Sequence, residues 1–437
     1  MKVKTHYGEE LIQFELPKDS LLALAVPKDI PPVKDEEAAI RNAIDNPIGE
    51  KRLSDLVTAK SRVAIIVDDP SRPTPVRKIL MVIFEELKRL AVPDNNITIV
   101  IGSGGHYEGG VFFSNEVISK LGVEIATRYR WLISELDRDQ VKLGITSRGT
   151  PVSVCRYVAN ADVKIGVGSI FTHRICGYGG GAKIILPGVA SRESIYHNHV
   201  NVALSGKRVD PNMLGTLENA VRLDMEEAAR IGGLDMIINT VLNMATEQTV
   251  GVVAGDFVKA HREGVKLYNR IYQAKMECAD ATIVSSYHLD SGMVHGVKAM
   301  CVGGMVTKKG GIVILVSPFK MDREVFAPGG VEYGNYRILT KKFSAAKTKE
   351  MLLKKEIVST VISSASELVS HAVMRENHRV ILVSEGWTSA RASSMGYEWA
   401  PTIDKALEEV FNSEGKNAKV NVVTVGNAIV PLLYETT

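Results

Sequence analysis

Seven short apolar runs, most of them rich in β-branched residues, recur along the chain, at 63–67, 97–101, 163–167, 282–285, 312–316, 380–383 and 420–425. Gly, Pro or Asp bounds most of them, and longer segments with helical spacing separate them. That rhythm is the signature of strands alternating with helices, and it predicts an α/β chain with largely parallel sheets. Between the first two runs, VRKILMVIFEELKRL repeats its apolar residues at helical spacing, and Pro75 stands just before it, where a first-turn proline is tolerated. One strand-helix-strand unit is therefore expected at 63–101. In such a unit the loops after the strands gather at the carboxyl edge of the sheet, where α/β proteins bind ligands.

The stretch 210–275 holds few β-branched runs and reads largely as helix, in NMLGTLENAVRLDMEEAARI and FVKAHREGVKLYNRIYQAKMECAD. The strand rhythm restarts near Thr282. Two α/β lobes follow, 1–274 and 275–437, joined by a helical hinge with the site in the cleft between them. A length of 437 residues suits two or three domains, and 45% hydrophobic with 24% charged residues is ordinary globular composition. Lysine plus arginine exceed the acids by only 53 to 50, a net +3 that offers no field for nucleic acid. Four cysteines, Cys155, Cys176, Cys278 and Cys301, lie far apart without a CxxC pair, so neither a disulfide framework nor a thiolate zinc site is expected. No secretory h-region and no apolar run of membrane length appear. A soluble cytoplasmic protein, without membrane or nucleic-acid partner and compatible with an oligomer, is the expectation.

Four loops carry chemistry. VDDPSRPTP places Asp69 and Arg72 on a proline-stiffened turn ahead of a helix, where a guanidinium fork and a helix N-terminus suit an anion. The same turn also fits a plain cap, with Asp68 or Asp69 closing the helix. GSGGHYEGG surrounds His106 with five glycines, a pliable way to present a general base, or an ordinary flexible turn with a surface histidine.

The segment 172–199 offers His173, the glycines Gly177, Gly179, Gly180 and Gly181, then Lys183, His197 and His199. Its spacing is neither GxGxxG nor a P-loop, since Lys183 lies between Ala182 and Ile184. A lysine beside bare backbone could instead be a covalent attachment point, because burial and neighbouring cations lower an amine's pKa toward nucleophilic range. A charged helix-end residue is the plainer alternative. His197 and His199 share a face in a strand but diverge on a helix, where at most one faces a site. Finally LDSGMVHGVKAMCVGG sets His295 and Lys298 one helical turn apart, either as cations reaching the cleft or as the solvated side of a helix that buries Met293, Val297 and Met300.

Together these loops resemble the nickel-pincer lactate racemase family across nearly the whole chain. The likeness rests on DDPSRPTP, on the histidine of GSGGH, and on the spacing from His173 through Lys183 to His199. It implies that Lys183 covalently carries a nickel pyridinium-3-thioamide-5-thiocarboxylate mononucleotide, the nickel-pincer nucleotide, with His199 as the protein ligand to nickel. His106 and His173 would be the paired acid/bases and Arg72 the carboxylate clamp. Asp69, Gly179, Gly180 and Lys298 would contact the nucleotide, and Lys298 with His295 the substrate. The implied chemistry is racemisation or 2-epimerisation of a 2-hydroxy acid by reversible hydride transfer, which avoids a carbanion beside a carboxylate. Soft donors with one imidazole suit square-planar nickel. Cofactor-maturation enzymes are the implied partners.

The chain departs from the family where substrate would be selected. Val294 replaces a tyrosine, His295 a glutamine, and 345–375 holds no tryptophan. A substrate larger or more polar than lactate is therefore expected. Two other readings fit the same residues: a zinc hydrolase using His106, His173 and His199, and a nucleotide- or cofactor-binding protein without turnover.

Overall fold

The computed structural model describes residues 1–434 apart from 50, 106–113, 291, 321–332, 358–361 and 363–364. His106 therefore lies outside the described residues. Two six-stranded sheets organise the chain. The first runs Gln248–Gly255, Met236–Asn243, Val163–Ser169, Val63–Asp68, Ile97–Gly102 and Arg130–Ile133; only its first strand is antiparallel. The second is wholly parallel: Glu398–Ala400, Arg379–Val383, Thr307–Val316, Ala279–Ser285, Val420–Val423 and Leu21–Ala25. Central strands such as Val63–Asp68 and Val163–Ser169 are buried along nearly their whole length, which explains why they read as continuous apolar runs without alternation.

All seven expected strand positions are strands. The expected helix forms at Val76–Arg89 and buries Ile79, Leu80, Ile83 and Leu87 against the first sheet. The reading of 210–275 as a helical divider needs correction. Its helices Ala220–Gly232 and Lys259–Tyr272 exist, but MIINTVLN and QTVGVVAG between them form the hairpin that completes the first sheet. The opening segment needs one too, since Leu21–Ala25 is the edge strand of the second sheet although it lies within 1–274. That strand reads LLALA, with no β-branching to mark it, and pairing to Val420–Val423 defines it.

The sheets are not separate bodies. One apolar cluster runs from Ile66 and Val100 of the first sheet to Val284, Val313 and Leu382 of the second. The carboxyl-edge loops of both sheets meet beside it. Among the described residues, no helix is long and apolar enough to cross a membrane.

Candidate active site

The 68–72 turn is fixed by a lysine that the sequence reading did not single out. Lys120 pairs with Asp68 Oδ1 at 2.9 Å and donates to the carbonyls of Asp69 and Arg72 at 2.9 and 2.8 Å. Neither aspartate caps the following helix, whose N-cap is Pro75. Asp69 is buried and accepts from its neighbour Ser71 through both the backbone N–H, at 2.9 Å, and the hydroxyl. Asp68 accepts from Thr74, whose hydroxyl continues through Ser169 to Thr240 in steps of 2.7 Å. Arg72 is thereby held at the mouth of the site, its guanidinium 5.1 Å from the Phe171 ring centre.

His173 sits in a two-residue hairpin, Thr172–His173 against Gly177–Tyr178. The glycine run that closes the hairpin is tied down from behind. Gly180 and Gly181 take left-handed φ of 75° and 62°, and an added Cβ would fall 2.8 Å from Asn239 Oδ1 and 2.9 Å from the His261 ring respectively. Asn239 Oδ1 accepts from the Gly181 N–H at 2.8 Å, and His261 Nε2 pairs with the Gly179 carbonyl at 2.8 Å. Arg222, fully buried, donates to the carbonyls of Cys176, Tyr178 and Gly180. Its charge is spread over carbonyls that would otherwise be buried and unmet. Gly179 packs under Phe171 and lines neither cavity described below, which departs from its expected role as a direct contact.

Lys183 follows in the short turn Gly181–Ile184. Among the described residues no hydrogen bond or ion pair engages its amine. Burial, with Arg72 and Arg222 nearby, holds the amine down to about 8, against an ordinary 10.5. The plain alternative, a solvated helix-end charge, does not describe this position.

The helix Arg192–Tyr196 continues as a π-helical turn, His197–Val202. The two histidines of that turn part as a helix requires. His197 Nδ1 pairs with Thr150 Oγ1 at 2.8 Å, at the edge of a network in which buried Asp224 accepts from Thr146, Thr150 and Asn198 at 2.6 to 2.7 Å. His199 turns the other way, edge-on to His173, with ring centres 6.5 Å apart. Burial, then the charges of Lys183, His199 and Lys298, push the His173 pKa well below its ordinary value, so the ring is a neutral base at pH 7. Cys176 Sγ lies 3.1 Å from its Nδ1, which leaves Nε2 as the nitrogen that can trade a proton.

The second lobe supplies the facing wall. Val294, His295 and Lys298 stand in the first turns of the helix Met293–Met305, which buries Met293, Val297 and Met300 as its spacing requires. Lys298 reaches across to the Thr172 carbonyl at 2.6 Å, and its amine is lowered to about 7, by burial first and then by Arg72. Thr172 answers by donating its hydroxyl to the Asn427 carbonyl at 2.8 Å.

One pocket gathers Arg72, His173, Lys183, His199, His295 and Lys298. A second cavity shares Arg72 and Lys183 with it and adds Asp69 and Gly180. Every expected site residue among those described is thus brought together except Gly179. Among the described residues, no three His, Cys, Asp or Glu side chains are grouped to hold a metal; the zinc alternative includes His106, which lies outside them.

Residues 7–210 match the lactate racemase N-terminal domain, and residues 255–430 match the lactate racemase C-terminal domain. The chain belongs to the lactate racemase family. By that membership it is an isomerase of the racemase type. The lactate racemase of Lactiplantibacillus plantarum is 28% identical over 399 residues, 90% of this chain and 91% of its own length. That of Thermoanaerobacterium thermosaccharolyticum is 26% identical over 98% of both chains. The structure of the lactate racemase apoprotein from T. thermosaccharolyticum superposes with a TM-score of 0.87 at 25% identity, covering 99% of this chain and all of its own. A Thermotoga maritima protein, 17% identical over 94% of this chain and all of its own, shares the fold with a TM-score of 0.66.

The residues that sequence reasoning missed are those that hold this family's loops in shape: Lys120, Arg222, Asn239, His261 and Asn427. A signal for two of them was present. Arg222 and His261 lie on the apolar faces of their helices, and a charged or ring-polar residue at a core position demands a buried partner.

Proposed function

We propose that the chain racemises or 2-epimerises a 2-hydroxy acid larger or more polar than lactate, in the pocket where the two lobes meet. The observation that carries this reading is the convergence of Lys183, an amine unengaged among the described residues and lowered to about 8, with His173 and His199 in one pocket.

The residues fit the nickel-pincer nucleotide. Lys183 has its amine lowered to about 8, toward nucleophilic range, His199 offers one imidazole, and Gly180 and Gly181 line the adjoining cavity. Asp69 and Lys298 flank that space as polar contacts for the nucleotide. When bound, the group supplies a hydride acceptor. Arg72 fixes the substrate carboxylate as a bidentate partner. His173, neutral and with Nε2 available, takes the substrate hydroxyl proton on one face and returns it. His106 serves the opposite face in this reading. Val294 and the half-buried His295 line the same pocket, where His295 is a polar partner for a more hydroxylated acid. Cofactor-maturation enzymes are the required partners.

The test is a 2-deuterated 2-hydroxy acid given to the protein co-produced with those enzymes. Inversion with the deuterium retained at C2 is expected. Washout of the label to solvent would replace hydride transfer by proton abstraction and remove the mechanism.

A further inference from the structure

Adjoining the reaction pocket at Arg72 and Leu289 lies a roomier cavity. The reaction pocket holds about 70 Å³, against about 530 Å³ for this annex. Its walls are the 70–73 turn, the hairpin tip 244–247 with Glu247, Glu9, and the loop carrying Tyr287 and His288. No role given above uses it.

His288 is the group that points to a ligand. Its Nδ1 is buried and has no hydrogen-bond partner among the described residues. An imidazole nitrogen buried this way is a group to be satisfied by something that enters. The loop that presents it is not loose. Asn427 donates to the carbonyls of Ser286 and Leu289 on either side, Ser286 bonds Ser317 at 2.6 Å, and Tyr287 stacks on His6 with ring centres 4.0 Å apart. Burial first, and then the charges of Lys298, His295 and Arg72 in the reaction pocket, push the His288 pKa well below its ordinary value, so the ring is neutral. A neutral imidazole donates from one nitrogen and accepts at the other.

The annex therefore mixes an amphoteric ring with the carboxylates of Glu9 and Glu247 and the guanidinium of Arg72. Hydroxyl groups, each both donor and acceptor, suit such a lining. A second carboxylate does not, because two glutamates would repel it. We infer that the annex is a subsite for the distal, hydroxylated end of the substrate, with His288 as the residue that reads it, so that the acid is a polyhydroxylated chain held by its carboxylate at Arg72. This deepens, and rests on, the racemase reading.

The test compares lactate, 2-hydroxyglutarate and a six-carbon polyhydroxy acid on the cofactor-loaded full chain and on its His288→Ala and His288→Gln variants, with calorimetric titration of each acid alongside. The polyhydroxy acid should exceed lactate in kcat/KM by about tenfold or more. His288→Ala should lose about tenfold for the polyhydroxy acid in both kcat/KM and binding, with lactate changed less than about twofold, and His288→Gln should recover part of the loss. Equal losses on both acids in both variants, or a preference for 2-hydroxyglutarate, would overturn the subsite. Racemisation of some 2-hydroxy acid with no dependence on His288 sinks this inference alone. Failure to racemise any of them sinks the function beneath it.

Discussion

The two walls of the pocket are built differently. On the first lobe, two described loops that face the site are tied from behind by side chains: Lys120 on the 68–72 turn, and Arg222, Asn239 and His261 on the glycine run. On the second lobe, Val294, His295 and Lys298 ride on the start of one helix that has no side-chain cap, and Lys298 reaches across the pocket to Thr172. The first wall holds Lys183, His173 and His199, to which the proposed reaction assigns the chemistry, and the second holds Val294 and His295, which depart from the family, beside Lys298. Rigid backing suits atoms whose placement sets the rate, whereas a single helix face can change its side chains without disturbing a network.

That division fixes the order of effects. Lys183→Ala should abolish racemisation, read by a chiral assay on protein made with the maturation enzymes. His173→Gln should lower kcat by about 10²–10⁴ while the modification at Lys183 persists, read by intact mass. A second-lobe substitution with a loss as large as either would erase the contrast between the walls.

Backing residues should act through stability. Arg222→Met removes the donor to three buried carbonyls and should cost about 3 kcal/mol in denaturant unfolding, with a lower Tm. A change below about 0.5 kcal/mol would mean the glycine run holds itself.

The lysines offer a smaller, pH-dependent effect. Lys183 and Lys298 are lowered to about 8 and about 7 from an ordinary 10.5. Between those values and 10.5 the unfolded chain binds protons that the folded one does not. Stability of the cofactor-free protein should therefore rise with pH from about 7 toward 10.5 through this pair, and Lys298→Met should flatten the rise. Urea unfolding across that range reads it; an unchanged slope in the variant would contradict the lowered amine. Smallest of all, His295→Gln should shift selectivity toward lactate by about threefold to tenfold without reducing the best substrate's kcat to the level of His173→Gln.

Much of this was legible in the sequence where chemistry and local pattern coincide. Runs such as 63–67 and 163–167 announce buried parallel strands because both faces are apolar. The glycines before Lys183 announce bare backbone, and the spacing of His197 and His199 announces that they share a face on a strand and part on a helix, as they do here. The strand Met236–Asn243 was hidden because it lies in a stretch dominated by two strongly amphipathic helices, although Gly232 and Gly233 mark the end of the first of them. Leu21–Ala25 was hidden because its pairing partner lies some 400 residues away. Arg222, Asn239 and Lys120 were hidden for a further reason: a polar side chain that satisfies carbonyls on another segment leaves no local spacing. Asn427 and the annex around His288 belong to the same class, since both exist only once loops of the two sheets are brought edge to edge.

The claim on which the rest stands is that Lys183 is the attachment point. Peptide mass mapping of the full chain, produced with the maturation enzymes, tests it most directly. The account predicts a single mononucleotide-sized addition on the peptide containing Lys183, together with nickel in equal amount and both absent from Lys183→Ala. An unmodified Lys183 in a preparation that racemises its substrate, or the addition found on Lys298 instead, would contradict it.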